Sequence, residues 1–149
     1  MNFNIILTLD GTENYYSRRI VNKYKNIENI KFIGDLQNIV PYLQGMDCFV
    51  LPSYANEGVP QALLQAMSVG LSIISCPVGG IPETLSKYKK AVLVKPQSPE
   101  LLSKAMLKIM KTPNTKQMKN IHRPFTLDVM YKSSLEVYGK AIGNRFNAN

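Results

Sequence analysis

The feature that most restricts the fold is an alternation. Short, mostly apolar runs at Asn4–Leu9, Asn29–Ile33, Asp47–Leu51, Ser72–Cys76 and Ala91–Val94 are separated by longer segments with helical spacing. Those segments are roughly Glu13–Lys25, Leu36–Gln44, Pro60–Val69, Pro82–Lys87 and Pro99–Lys111. A sheet open to water on one face shows a polar residue at every second strand position; these runs do not. The pattern predicts an α/β fold, a Rossmann-like doubly wound parallel sheet with helices on both faces.

At 149 residues the chain fits one domain with its own core. The loop Thr112–Arg123 leads into Thr126–Ile142, where Leu127, Met130, Tyr131, Leu135, Tyr138 and Ile142 recur near helical spacing. This is a terminal helix with an apolar face that needs cover. The domain is therefore expected over 1–142, with 143–149 as a frayed tail.

Composition narrows the class further. Hydrophobic residues at 45% and charged residues at 19% exclude a disordered chain. The N-terminus has no basic leader, and no run approaches the roughly 18 apolar residues of a membrane span. The expected location is cytoplasmic. Cys48 and Cys76 each lie in an apolar run and fit neither a disulfide framework nor a CxxC metal pattern, so both read as buried thiols.

The net charge of +8 is concentrated, with ten basic residues and one acidic residue within 86–123. Such a block is either a solvated lysine-rich face or a contact for an anionic partner such as membrane headgroups. Within it, Lys104, Lys108 and Lys111 form a stripe opposite Leu101, Leu102, Ala105 and Ile109. A surface helix and one docked on anionic lipid both fit that pattern. Nucleic acid is not expected as a partner, because aromatics are not interleaved with the lysines and no recognition motif is present. His122, the only histidine, has no carboxylate or cysteine neighbours and reads as solvent-exposed.

Ligands of open α/β sheets bind beyond the carboxyl ends of the strands, where helix N-termini aim N–H groups at anions. Three such ends stand out: Asp10-Gly11-Thr12, Pro52 to Pro60, and Pro77 to Pro82. The second joins a strand to a helix through Glu57-Gly58-Val59-Pro60, with Pro60 suited to the first helical position. Glu57 at the mouth of a crevice can accept from sugar hydroxyls, and Gly58 lets the backbone approach a diphosphate. The plainer alternative is a carboxylate that only complements the helix dipole. Gln61, Gln65 and Ser68 share one helix face, leaving Leu63, Ala66 and Met67 to pack on the sheet. Gly79 and Gly80 either make a tight turn or face a ligand.

These residues resemble the family 4 retaining glycosyltransferases. The shared signature, in this chain, is Pro52-Ser53, Glu57-Gly58-x-Pro60, Leu64-x-Ala66-Met67, Gly70 and Gly79-Gly80-Ile81-Pro82-Glu83. Phe32-x-Gly34, Asp47 and Phe125-Thr126 extend it outward. The resemblance implies the nucleotide-sugar-binding C-terminal half of a GT-B enzyme, with Glu57 as the catalytic-site residue on the transferred sugar. It implies that Gly58, Val59, Pro60, Gly79 and Gly80 lie along the sugar and diphosphate. Leu36, Gln37 and Gln65 would lie along the nucleotide. No metal and no cofactor are expected beyond a UDP- or GDP-sugar donor, and no Asp-x-Asp pair is present.

Three positions depart from the family. Gln65 stands where the family has a second acidic residue for the ribose diol, and an amide offers one acceptor and one donor group where a carboxylate accepts twice. The arginine and lysine that clamp the diphosphate belong to a strand–helix unit preceding the one aligned with Asn4–Leu9; Arg18 and Arg19 fall elsewhere. Lys90-Ala91 replaces a glycine ahead of Val92.

The resulting expectation is the donor-binding part of a glycosyltransferase for cell-surface polysaccharide synthesis, working with a second chain that supplies the acceptor domain. Its rival is a non-catalytic remnant or subunit that keeps the donor-binding fold.

Overall fold

The computed structural model describes residues 5–8, 15–34, 36–55, 57–112 and 126–146. The Asp10–Thr12 turn, His122 with the remainder of the basic block beyond Thr112, Phe125 and the last three residues of the expected tail lie outside the described residues.

The chain divides into two units, 1–39 and 40–149. In the first, β1 (Ile5–Thr8) and β2 (Ile30–Ile33) form a parallel pair, Ile5 opposite Ile30 through Thr8 opposite Ile33. The crossover is α1 (Tyr15–Tyr24), on which Arg18 and Arg19 are exposed.

In the second unit α2 (Val40–Gly45) starts later than the expected Leu36. Pro41 explains this: it has no N–H to donate and is tolerated only in the first turn, so a helix containing it begins at its door. The strands β3 (Cys48–Leu51), β4 (Ser72–Ser75) and β5 (Ala91–Leu93) make a parallel sheet in the order β3-β4-β5. The described ladders thus fall in two parallel sheets. Alternation counts strands but does not say which of them share hydrogen bonds.

Successive strand residues face opposite sides of a sheet. Ile73, Ile74 and Ser75 are all fully buried, so the central strand β4 is covered on both faces, as its apolar run requires. The buried Ser75 hydroxyl donates to the Leu51 carbonyl at 2.8 Å, which satisfies it and ties β4 to the end of β3. The helices α3 (Gln61–Ser68) and α5 (Pro99–Met110) pack on β3 and β4 respectively. The short α4 (Ile81–Leu85) links β4 to β5 and buries Ile81, Thr84 and Leu85.

The end of α3 shows how local chemistry sets a boundary. Gly70, at φ 77°, donates to Met67 O at 3.0 Å, and Leu71 N–H reaches back to Ala66 O at 3.2 Å. This paired closure demands a left-handed residue, and glycine adopts that conformation without a Cβ penalty. Lys90 Nζ and the Tyr88 hydroxyl then donate to Gly70 O at 3.1 Å and Leu71 O at 2.6 Å, locking the turn that feeds β4.

On α5 the spacing corrects one expectation. Ala105 is buried and Leu102 and Ile109 are half-buried, but Leu101 is exposed. Leu101 lies three residues before Lys104 and seven before Lys108, which puts it on the lysine side. Lys104 itself is paired with Glu100 at 2.7 Å on the surface.

The terminal helix α6 runs Leu127–Phe146, four residues past its expected end, since no proline or capping turn stops it at Ile142. The Thr126 hydroxyl accepts from Val129 N–H at 3.3 Å at its start. Its apolar residues, from Leu127 to Ile142, are exposed. Among the described residues no helix is long and apolar enough to cross a membrane. Cys76 is buried and Cys48 half-buried, and neither is in a disulfide.

Candidate functional site

Parallel pairing decides where the chemistry collects. Leu51 and Ser75 are in register, so β3 and β4 end side by side and their exit loops leave in one direction. Residues 52–60 follow β3 and residues 76–80 follow β4.

The two loops meet through their backbones. Gly80 N–H donates to the Glu57 carbonyl at 3.3 Å. A Cβ placed on Gly79 would lie 1.7 Å from that same carbonyl oxygen, and one on Gly80 would lie 2.7 Å from Gly58 O. Gly79 also sits at φ 53°, in the left-handed region. The paired glycines are therefore required by the approach of the neighbouring loop, which accounts for both without reference to a ligand.

Gly58 differs from them. A Cβ there would meet nothing within 4 Å, so its space is open. Val59 beside it is about half exposed, and Pro60 is half-buried. Pro60 is the N-cap of α3, at ψ 124°, rather than its first helical residue. It makes no side-chain cap, and the first of the opening N–H groups to find a helix partner is that of Leu63, which donates to the Pro60 carbonyl at 3.1 Å.

The Glu57 side chain is half-buried, and Ser53 donates its hydroxyl hydrogen to Glu57 Oε1. Ser53 lies just past the end of β3, four residues before Glu57. Its role was not legible from composition or helical period. A Ser-x-x-x-Glu spacing in a loop brings the two together only if the loop turns back on itself, which spacing alone does not reveal.

The face expected of α3 is present. Leu63, Ala66 and Met67 are buried, Gln61 is exposed, and Gln65 and Ser68 are half-buried. Ser68 Oγ donates to Gln65 O at 2.7 Å. The described contacts gather Ser53, Glu57, Gly58, Val59, Gly79 and Gly80. They do not join the Gln65 side chain to that group. Leu36, half-buried, and Gln37, exposed, follow β2 in the first unit. Among the described residues no cluster of three His, Cys, Asp or Glu side chains could hold a metal ion.

The geometry agrees with comparisons to known proteins. The sequence profile of the family Glycosyl transferases group 1 matches residues 2–123. The uncharacterized glycosyltransferase MJ1069 of Methanocaldococcus jannaschii is 25% identical over 127 residues, 83% of this chain and 32% of the relative. The putative teichuronic acid biosynthesis glycosyltransferase TuaC of Bacillus subtilis is 30% identical over 92 residues, 62% of this chain and 21% of the relative. Among solved structures, a glycosyltransferase from Rickettsia africae superposes with a TM-score of 0.79 at 19% identity, covering 95% of this chain and 41% of its own. Sucrose-phosphate synthase from Thermosynechococcus elongatus gives 0.75 at 22% identity, covering 96% and 39%. The chain thus spans a fifth to two fifths of the length of these proteins.

Proposed function

This chain belongs to the glycosyl transferases group 1 family, and from that premise we propose that its Glu57–Pro60 turn holds the sugar and diphosphate of a UDP- or GDP-sugar. The observation that carries the reading is the turn itself. It sets half-buried Glu57 next to the open backbone of Gly58 and just ahead of α3, whose N-cap Pro60 makes no side-chain cap. The carboxylate accepts from hydroxyls of the transferred sugar, forming charge-assisted hydrogen bonds. The glycine admits a diphosphate close to the main chain, and the positive end of α3 favours its charge.

In this reading Glu57 is the catalytic-site residue, Gly79 and Gly80 shape the wall behind the diphosphate, and Gln65 meets the ribose. Transfer of a hexosyl or related unit proceeds with retention and without a metal ion. The name of the Bacillus subtilis relative supports polysaccharide assembly as the process. The exposed apolar residues of α6 suit packing against an acceptor-side domain. The site of action is the cytoplasm, at the inner membrane face, where exposed Lys87, Lys89, Lys95, Lys108 and Lys111 suit anionic headgroups.

Titration of UDP, GDP and their sugars against the chain, followed by thermal shift, tests the donor site. Stabilisation by a sugar nucleotide that disappears in Glu57→Ala is the expected result. Failure of every donor to bind the unsubstituted chain would refute it. A second reading, a binding module without turnover, is favoured by Gln65 in place of a carboxylate. It predicts donor binding but no hydrolysis or transfer even with an acceptor-domain chain added.

A further inference from the structure

We propose that Ser53 is a positioning residue that fixes the Glu57 carboxylate for a sugar hydroxyl. The proposal rests on the donor reading above and adds a residue to it. Glu57 is held at two points. Its main-chain carbonyl accepts from Gly80 N–H, in a space that Gly79 leaves empty, and its carboxylate accepts from Ser53 Oγ.

Ser53 is anchored in turn. It stands two residues beyond Leu51, whose carbonyl is bonded by the buried Ser75 hydroxyl of the central strand. The carboxylate is thereby referenced to the sheet and not merely to a loop.

A glutamate side chain is among those that lose the most rotamer freedom on being fixed. When that freedom is already removed in the free protein, ligand binding does not bear the loss, and affinity rises. The chemistry also becomes asymmetric. A serine hydroxyl carries one hydrogen, and here it is committed to Oε1, so Oε2 keeps its full capacity to accept from the sugar. Ser53 therefore sets which oxygen meets the ligand and at what angle. It acts through Glu57 and not on the ligand itself.

The test compares UDP-glucose with UDP and GDP-mannose with GDP on the 149-residue chain. Ser53→Ala is expected to weaken the sugar nucleotides about tenfold, the scale of a charge-assisted hydrogen bond. Sugar-free diphosphates should stay within about twofold. Ser53→Thr, which keeps the hydroxyl, should restore the sugar increment, and Ser53→Ala should add nothing in a Glu57→Ala background. Equal weakening with and without the sugar marks a merely structural role and overturns the proposal. A sugar increment lost in Glu57→Ala but kept in Ser53→Ala overturns the positioning role while leaving the donor reading standing. An increment unaffected by Glu57→Ala removes the donor reading instead. Three-bond couplings of Glu57 without ligand supply an independent measurement. One side-chain rotamer that becomes averaged in Ser53→Ala supports the positioning role, and averaging already present in the unsubstituted chain refutes it.

Discussion

Replacing Gly79 by alanine isolates the contact on which the two exit loops depend. The new Cβ would be 1.7 Å from the Glu57 carbonyl oxygen and 2.7 Å from its carbon, both main-chain atoms that cannot swing aside as a side chain would. Alanine at φ 53° also costs about 1–2 kcal/mol in left-handed strain. Forcing backbone apart in a packed region adds about 1–3 kcal/mol. The total, about 2–5 kcal/mol, is a large part of the stability of an ordinary domain. For a chain of this length it corresponds to a melting temperature lower by roughly 5–15 °C. The control is Gly58→Ala, where the added carbon meets nothing within 4 Å and no positive φ is involved. That variant should melt within about 2 °C of the original, as open surface substitutions do. Calorimetry of the three proteins decides the matter. A Gly79→Ala protein that melts with the Gly58→Ala protein would refute the claim that loop contact requires this glycine.

Gln97 is the one described non-glycine residue at positive φ, 55°, and Gln97→Gly should raise stability by about 0.5 kcal/mol in urea titration; a loss would show that its side chain makes a compensating contact. Burial, and secondarily the charge of Asp47, pushes the Cys48 thiol from its ordinary 9.0 to about 11, and burial pushes the Tyr88 hydroxyl up to about 12. Between about pH 9 and pH 11 the unfolded chain releases the Cys48 proton while the folded chain retains it, so stability should fall with rising pH. Urea midpoints at about pH 8 and about pH 10.5 measure that fall, and a Cys48→Ala protein with the same slope would rule the thiol out as a cause. Gln65→Glu should tighten UDP or GDP binding roughly ten- to thirty-fold by restoring a second acceptor for a ribose diol; unchanged affinity in calorimetric titration would remove Gln65 from the nucleotide site.

The elements of regular structure were largely legible in the sequence because their causes are local. The apolar run of β4, the prolines opening α4 and α5, and Gly70 closing α3 act through residues within a few positions of one another. In the elements, differences arose where two local signals compete, and in the site where the cause is nonlocal. Leu101 reads as apolar core by type but belongs by spacing to the lysine face, and the start of α2 yields to Pro41. In the site, the sequence displayed Glu57 and Gly58 but not why Gly79 and Gly80 are glycines. The answer is two carbonyl oxygens, of Glu57 and Gly58, each more than twenty residues away, and every residue type carries such an oxygen. The Ser53–Glu57 bond was hidden for a related reason: spacing reveals partners on a helix, whereas a loop has no period to read.

The seating of the Glu57 carbonyl against Gly79 has a consequence for any exchange of loops between this protein and its relatives. Transplanting the Ser53–Pro60 loop from a relative brings a backbone trace shaped to a different partner, and the Gly79–Gly80 backbone leaves little room for a shifted carbonyl at position 57 or 58. The two segments form a single heritable cassette despite their separation in the gene, so exchanges made one loop at a time should fail where the paired exchange folds.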